Sequence, residues 1–271
     1  MSGLQSFQVS DPMQERVVML PGAVNLRDFG GYETTDGRVV RRRRLYRSGS
    51  LTRLTPAAQR AFLDELRVHT ICDLRRPEER AEEPTPFPFD RPRRVEIPID
   101  PGSAIALRSE LKQHSVPVEQ RIAFMVAINA ELARSHQQDY ARMFEALLDV
   151  DSDDGGFLVH CAAGKDRTGF ACALILHALG VAEQTVIEDY LLTNQVLDFE
   201  GYILPHLQAR LGPDVPIERD ELMALAGVRP EYLGAAYRAI EEEFDHVEHY
   251  LERAVGLDAA AREILRTRFL A

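Results

Sequence analysis

Cysteine is scarce in this 271-residue chain, which carries only Cys72, Cys161 and Cys172, with no CxxC pair among them. An odd, unpaired set excludes a disulfide framework and a cysteine zinc site, so any thiol with a role must have a different one. Long apolar runs are missing as well. The longest largely apolar stretch, residues 169–182, is broken by His177 and Gly180 and falls short of the ~18 residues that a membrane span needs. Residues 1–21 mix Ser, Gln, Asp, Glu and Arg without a signal-peptide core. The expectation is a cytoplasmic protein, with export by another route left open. Cationic excess is also absent: Lys plus Arg number 32 against 43 Asp plus Glu, a net charge of −11. That balance argues against a nucleic-acid binder recruited by bulk charge. No internal repeat or low-complexity tract is present, and 45% apolar with 28% charged residues is ordinary globular composition.

The elements alternate. Leu45 to Ser48, Val68 to Leu74, Val95 to Ile99 and Phe157 to His160 read as short strands, the last announced by Asp154-Gly155-Gly156. Thr55-Pro56 supplies an N-cap and an N1 proline ahead of Phe62, Leu63 and Leu66 at helical spacing, which predicts a helix over 56–67. Residues 104–149 carry helical periodicity, and Thr168 to Leu179 reads as a buried helix ended by Gly180. Four further helices are expected over 183–271. Asp36-Gly37 marks a hairpin turn, and the basic run Arg41 to Arg44 reads as a solvated strand edge, with recruitment of an anionic substrate or lipid headgroup as the alternative. Strands alternating with helices over 38–180 predict an α/β fold with a central mixed, mostly parallel sheet flanked by helices. With no linker in sight, residues 1–271 are read as one domain with a helical C-terminal extension over 183–271.

The densest chemistry lies in His160-Cys161-Ala162-Ala163-Gly164-Lys165-Asp166-Arg167-Thr168-Gly169. A strand ends at a cysteine, a tight loop follows, and an arginine opens a helix. Small residues at 162–164 let the backbone curl so that successive N–H groups form an anion-binding nest at a helix N-terminus. Arg167 can return over that nest and offer a planar fork to two phosphate oxygens. Cys161 lies at the floor, where those dipoles and the arginine charge favour thiolate over thiol, giving a nucleophile beneath a bound phosphate. The Gly164-Lys165 pair does not make this a Walker A loop: Asp166 stands where Ser or Thr must follow the lysine, and Val159 where the first glycine belongs.

The stretch resembles the Cys-x5-Arg signature of the protein tyrosine phosphatase superfamily, in the form typical of its bacterial and fungal PtpB-like branch. Asn25-Leu26-Arg27-Asp28 with Gly30-Gly31, Leu45-Tyr46-Arg47-Ser48, Asp73-Leu74-Arg75 with Glu79, and Asp189-Tyr190-Leu191 with Asn194 are similar to that family's pattern in the same order, over roughly residues 18–254. The resemblance implies a cysteine-phosphatase fold and a phosphomonoester hydrolase working through a phosphocysteine intermediate without metal or other cofactor. It makes Cys161 the nucleophile and Arg167 the phosphate clamp. Ala162, Ala163, Gly164, Lys165 and Asp166 complete the phosphate-binding loop. Thr168 is the hydroxyl that assists expulsion of the thiolate, and His160 braces the loop. Cys172, mid-helix, and Cys72, on a buried strand, read as core residues, with reversible pairing of Cys72 to Cys161 under oxidation as the alternative for Cys72.

Two carboxyls compete as general acid. Asp100, after the strand ending at Ile99, matches the donor of compact dual-specificity relatives; Asp166 lies inside the loop itself. The Trp-Pro-Asp loop of larger tyrosine phosphatases is excluded because the chain has no tryptophan. Lys165 is read either as a second cation at the pocket rim, which would suit a phosphoinositide, or as a solvated lysine. Asp73 to Glu79 is read as an ion-pair network supporting the loop. Residues 103–134, with Phe124, Met125, Val126, Ile128 and Leu132, are read as a helical lid insertion or as ordinary core. The expected partner is a phosphotyrosine protein or a phosphoinositide. The alternative is a non-catalytic phosphate-binding module of the same fold, which the intact Cys161, Arg167 and Thr168 disfavour.

Overall fold

The computed structural model describes residues 15–88, 91–102, 116–150, 155–211 and 218–271. Five strands form one sheet: β1 (Arg27–Asp28), β2 (Leu45–Ser48), β3 (Val68–Asp73), β4 (Arg93–Glu96) and β5 (Gly156–His160), in the order β1-β2-β5-β3-β4. β1 pairs antiparallel with β2, and every other pairing is parallel. β5 is central because it is apolar on both faces, as a strand covered on both sides must be. Phe157 and Val159 enter one core and Leu158 the other. At its C-terminal end His160 stands between Ser48 of β2 and Asp73 of β3. In such sheets, ligands gather outside the carboxyl ends of the strands.

Helices cover both faces. On one side α1 (Pro56–Asp64) is capped as its sequence demands, Thr55 accepting from the Ala58 N–H at 3.3 Å with Pro56 at the first turn. It packs Phe62 with Leu26, Tyr46, Ile71 and Leu158. After β3 comes α2 (Pro77–Glu82). The opposite face holds α3 (Val118–Ser135), α4 (Gln137–Leu148) and α5 (Asp166–Leu179). α5 buries residues all round its circumference, as a helix apolar on every side must, and ends at Gly180 with φ +90°.

The chain beyond Gly180 is more finely divided than its sequence reads. Among the described residues it forms α6 (Glu183–Leu191), α7 (Thr193–Val196), a π-helical turn (Phe199–Ile203), α8 (Leu204–Leu211), α9 (Arg219–Ala226), α10 (Pro230–Phe244), α11 (Val247–Arg253) and α12 (Ala259–Phe269). Seven helices therefore replace the expected four, because Asp198, Asp258 and His246 each cap a new start that periodicity alone does not mark.

The basic run is not a strand edge. It forms a turn with Arg43 at φ +61°, whose N–H is held by the Asp28 carboxylate at 2.8 Å. Arg41 donates to the Leu270 carbonyl at 2.7 Å, and buried Arg44 donates to that of Gly155 at 3.1 Å. Arg41, Arg42 and Arg43 are exposed, as a solvated run should be, while the Arg41 and Arg44 side chains also anchor backbone. Of the segment read as a lid, residues 103–115 lie outside the described residues. The rest, α3, buries Met125, Ile128, Asn129 and Leu132 and packs most extensively on α10. This helix forms part of the core wall. No helix among the described residues is long and apolar enough to cross a membrane.

Candidate active site

Cys161 follows β5 directly and is 2% exposed; α5 opens five residues later at Asp166. The intervening loop is held by its carbonyls, all from outside. Ala162 accepts from the Ser50 N–H at 2.8 Å and the Tyr202 hydroxyl at 3.3 Å. The Asn25 amide donates to Ala163 at 3.1 Å and to Gly164 at 2.9 Å, and Arg47 adds a bond to Gly164 at 3.2 Å. In a planar trans peptide the N–H points opposite to the C=O. Three outward carbonyls therefore turn the N–H groups of Ala163, Gly164 and Lys165 toward the inside of the loop, which is the nest that its small residues anticipate. Gly164 makes the curl possible: its φ is +70°, and a Cβ there would come within 2.5 Å of the Ser48 carbonyl.

Behind the loop lies a buried polar cluster. Asp189 accepts from Arg47 at 2.6 Å and from the Tyr32 hydroxyl at 3.1 Å. Arg27 donates to the Asp189 carbonyl at 3.2 Å, to Thr193 at 3.1 Å and to the Asn25 side chain. Burial alone would raise the Asp189 carboxyl, but Arg47 and Arg27 more than reverse this and hold it low. Arg27 moves the other way, to about 10, as burial and the Arg47 charge outweigh Asp189. The result is a paired, desolvated brace that fixes Asn25, itself in the left-handed region at φ +53°.

A second brace sits on the β3 side. His160 Nε2 lies 3.5 Å from the Asp73 carboxylate, which also takes a forked contact from Arg75 at 2.9 and 2.7 Å. Burial would raise Asp73, yet His160 and Arg75 together hold it well below the usual carboxylate range. Arg167 grips Glu79 bidentately at 2.7 and 2.9 Å and donates to the carbonyls of Leu74 and Ile99 at 3.2 and 3.3 Å. Desolvation pushes Glu79 up and Arg167 pulls it down further, to about 2. Burial opposes protonation of Arg167, but Cys161 and Glu79 raise its pKa above the ordinary value. These contacts use Nη1 and one side of Nη2, leaving Nε and the second Nη2 hydrogen without a partner among the described residues. Thr168 Oγ1 is likewise buried and unpartnered.

The two acid candidates stand in different surroundings. Asp100 is 39% exposed and lies 3.6 Å from Arg76, which also reaches Glu79 at 3.4 Å. Its loop is tied to α3 through Gly102 and Glu131. Asp166 is 19% exposed and pairs with Lys165 at 3.0 Å. Lys165 departs from the rim-cation expectation. It is only 8% exposed, and its ammonium donates to the carbonyls of Leu225 at 2.7 Å and Gly227 at 3.3 Å, at the end of α9. A cation suits the orphan carbonyls of a helix C-terminus, so Lys165 ties the loop to α9. Cys72 and Cys172 are buried free thiols, and burial pushes Cys172 up to about 12 and Cys72 still higher.

Beside the loop lies a cavity of about 250 Å³. Its apolar wall is Tyr202, Ile203, Leu207, Leu225 and Ala226; Arg75, Glu79, Glu82, Glu83, Lys165 and His206 form the polar side. Tyr202, whose hydroxyl reaches the loop, was not marked by any sequence motif. Among the described residues, the wall beside this site therefore comes from the π-helical turn, α8 and α9. Among the described residues no group of three or more His, Cys, Asp or Glu side chains is placed to hold a metal ion.

A cysteine at the end of a central parallel strand, an anion-cradling loop and an arginine at the head of the next helix define a cysteine phosphatase. The chain belongs to the tyrosine phosphatase family, matching it over residues 18–271. A Cupriavidus necator protein provisionally named a tyrosine-protein phosphatase is 35% identical over 251 residues, spanning 91% of this chain and 86% of that one. Triple specificity protein phosphatase PtpB of Mycobacterium tuberculosis is 30% identical over 277 aligned positions, 91% of this chain and 96% of its own length. The PtpB-like branch indicated by the signature loop is thus the one to which the chain is related.

Proposed function

We propose that this protein hydrolyses phosphotyrosine in proteins through a phosphocysteine intermediate. The observation that carries the reading is the loop itself: Cys161 at its floor, carbonyls tied outward, and Arg167 fixed by Glu79 with donors to spare. In the first step the Cys161 thiolate attacks phosphorus, the P–O bond to the tyrosine breaks, and a carboxyl protonates the departing phenolate. In the second step water attacks the phosphocysteine, the carboxylate takes back a proton, and inorganic phosphate leaves as the thiolate is restored. The loop N–H groups and the Nε edge of Arg167 stabilise the equatorial oxygens, and Thr168 Oγ1 hydrogen-bonds the leaving thiolate. His160 and Asp73 position the loop. The apolar wall of Tyr202, Leu207 and Leu225 supports an aryl ring as the group above the phosphate.

A broader range is a second reading, favoured by the likeness to PtpB, whose name claims triple specificity. It includes serine and threonine phosphates and phosphoinositides. Against a polyphosphorylated headgroup stands Lys165, whose charge is already committed to α9. A non-catalytic module would have no use for an unpartnered Thr168 hydroxyl beside an intact cysteine and arginine.

The test is the Cys161→Ser variant, assayed on p-nitrophenyl phosphate and on phosphotyrosine peptides with chelator present. An alcohol is a far weaker nucleophile at neutral pH, so turnover should fall by roughly 10³-fold or more while phosphate binding by the loop persists. Activity near that of the wild type would remove Cys161 from the mechanism. A folded wild type that turns over no phosphate ester would favour the binding module.

A further inference from the structure

We infer that Arg53 is a specificity-determining residue that reads an acidic side chain next to the phosphotyrosine, an inference resting on the phosphotyrosine reading above. The charges around Tyr202 single out Arg53. This ring separates two cavities, the one beside the phosphate loop and a second of about 260 Å³ lined by Gly22, Val24, Asn25, Arg53, Asp198 and Tyr202. Both cavities touch the machinery, since Asn25 and the Tyr202 hydroxyl each bond the loop. Of the cations lining them, Arg75 is forked onto Asp73, Lys165 is spent on α9 and Asp166, and His206 Nε2 is 3.0 Å from Glu83. Arg53 differs. It is exposed, no carboxylate lies within ion-pair distance of it among the described residues although its charge reaches Glu83 and helps hold that carboxyl low, and its guanidinium carbon lies 5.1 Å from the centre of the Tyr202 ring.

Stacking on an aromatic face fixes a guanidinium without consuming its N–H donors, because the ring meets the plane while the donors point out along its edge. Arg53 is therefore placed at the ring with N–H donors to spare, its charge shared only at a distance with Glu83. Its partner ring is rigid, set by the hydroxyl bond to Ala162, by His206 at 4.5 Å between centroids, and by the π-helical turn capped by Asp198. A carboxylate reaching over Tyr202 from a residue flanking the phosphotyrosine would meet this fork as the phosphate enters the loop. A peptide fits better than a lipid surface, because a chain of net charge −11 is repelled by an anionic bilayer as a whole. One acidic side chain needs only the single fork that Arg53 presents.

The experiment compares wild type, Arg53→Gln and Arg53→Glu on four substrates: phosphotyrosine peptides flanked by Glu, by Ala or by Lys, and p-nitrophenyl phosphate. Wild type should prefer the Glu-flanked peptide. Arg53→Gln should lose about tenfold in kcat/KM on it, mostly in KM, with the Ala-flanked peptide and p-nitrophenyl phosphate within twofold. Arg53→Glu should turn the preference toward Lys flanks. Equal losses on every substrate would overturn the assignment, reducing Arg53 to a support for Tyr202, as would the absence of any flank preference in the wild type. A loss confined to phosphoinositide vesicles, assayed in parallel, would also overturn it in favour of a headgroup. Wild-type failure on all phosphopeptides, with p-nitrophenyl phosphate still cleaved, would bring down the phosphotyrosine reading itself and this inference with it; intact phosphopeptide turnover without the Arg53 effect would bring down only this one.

Discussion

Asp100 and Asp166 place opposite demands on a proton donor, and their surroundings make the two separable. Asp166 is fixed at the head of α5 but tied to Lys165, and freeing a proton-bearing carboxyl there means loosening that pair. Asp100 follows Ile99, whose carbonyl Arg167 holds, so it borders the phosphate site, with Arg76 as a neighbouring cation. Whichever is the donor, its Asn variant should lose far more on phenyl phosphate, a poor leaving group, than on p-nitrophenyl phosphate, whose phenolate needs no proton. A ratio of roughly 10² between the two losses is expected for the true donor, with little change for the other residue. Steady-state rates of both single variants on both esters decide it; if neither shows the asymmetry, the proton comes from elsewhere.

The phosphate loop is the element on which the reading turns, and Gly164 is its most exacting position. Gly164→Ala would force a side chain into φ +70° and into the Ser48 carbonyl. Strain and collision together should cost about 1–3 kcal/mol of stability. The larger effect should be on turnover, because relief requires the peptide planes around 164 to rotate and take their N–H groups out of the nest. A fall in kcat/KM on p-nitrophenyl phosphate of roughly 10²-fold or more is expected, with the far-ultraviolet circular dichroism unchanged at room temperature. Wild-type activity in a stable Gly164→Ala protein would show that the nest is not needed. The helices carry a parallel lesson. α3 has the amphipathic periodicity of a lid, yet α10 covers its apolar face, so it is part of the core.

Across the whole molecule, stability should fall on mild acidification for a reason that lies far from the site. His177, in the last turn of α5, faces the Tyr237 hydroxyl at 2.9 Å, and burial lowers its pKa from 6.5 to about 4. Between those values the unfolded chain gains a proton that the folded chain refuses, so the imidazole costs nothing above pH 6.5 and its penalty grows as pH falls to about 4. The loss should reach about 2–3 kcal/mol. Denaturant midpoints measured from pH 7 to pH 4.5 should drop for the wild type. In His177→Gln, which cannot be protonated, the slope between pH 6.5 and 5 should flatten; an unchanged slope would assign it to other groups. Glu79, held at about 2, adds nothing in that interval, because it is ionised in both states until pH nears 4.5. What the sequence by itself determined is local: the strand–loop–helix run from Phe157 to Leu179, the small residues that let the loop curl, the cap at Thr55 and the stop at Gly180 all follow from short-range sterics and hydrogen bonding. The family order of Asn25, Arg47, Glu79 and Asp189 was visible too, but not what each residue does. Only the tertiary structure decided that Asn25 and Arg47 tie down loop carbonyls, that Lys165 turns away toward α9, and that Tyr202 and Arg53, some 150 residues apart in the chain, meet at the rim. Those partners are chosen by which buried donors and acceptors must be satisfied once the sheet and helices have packed, a condition that no local pattern encodes.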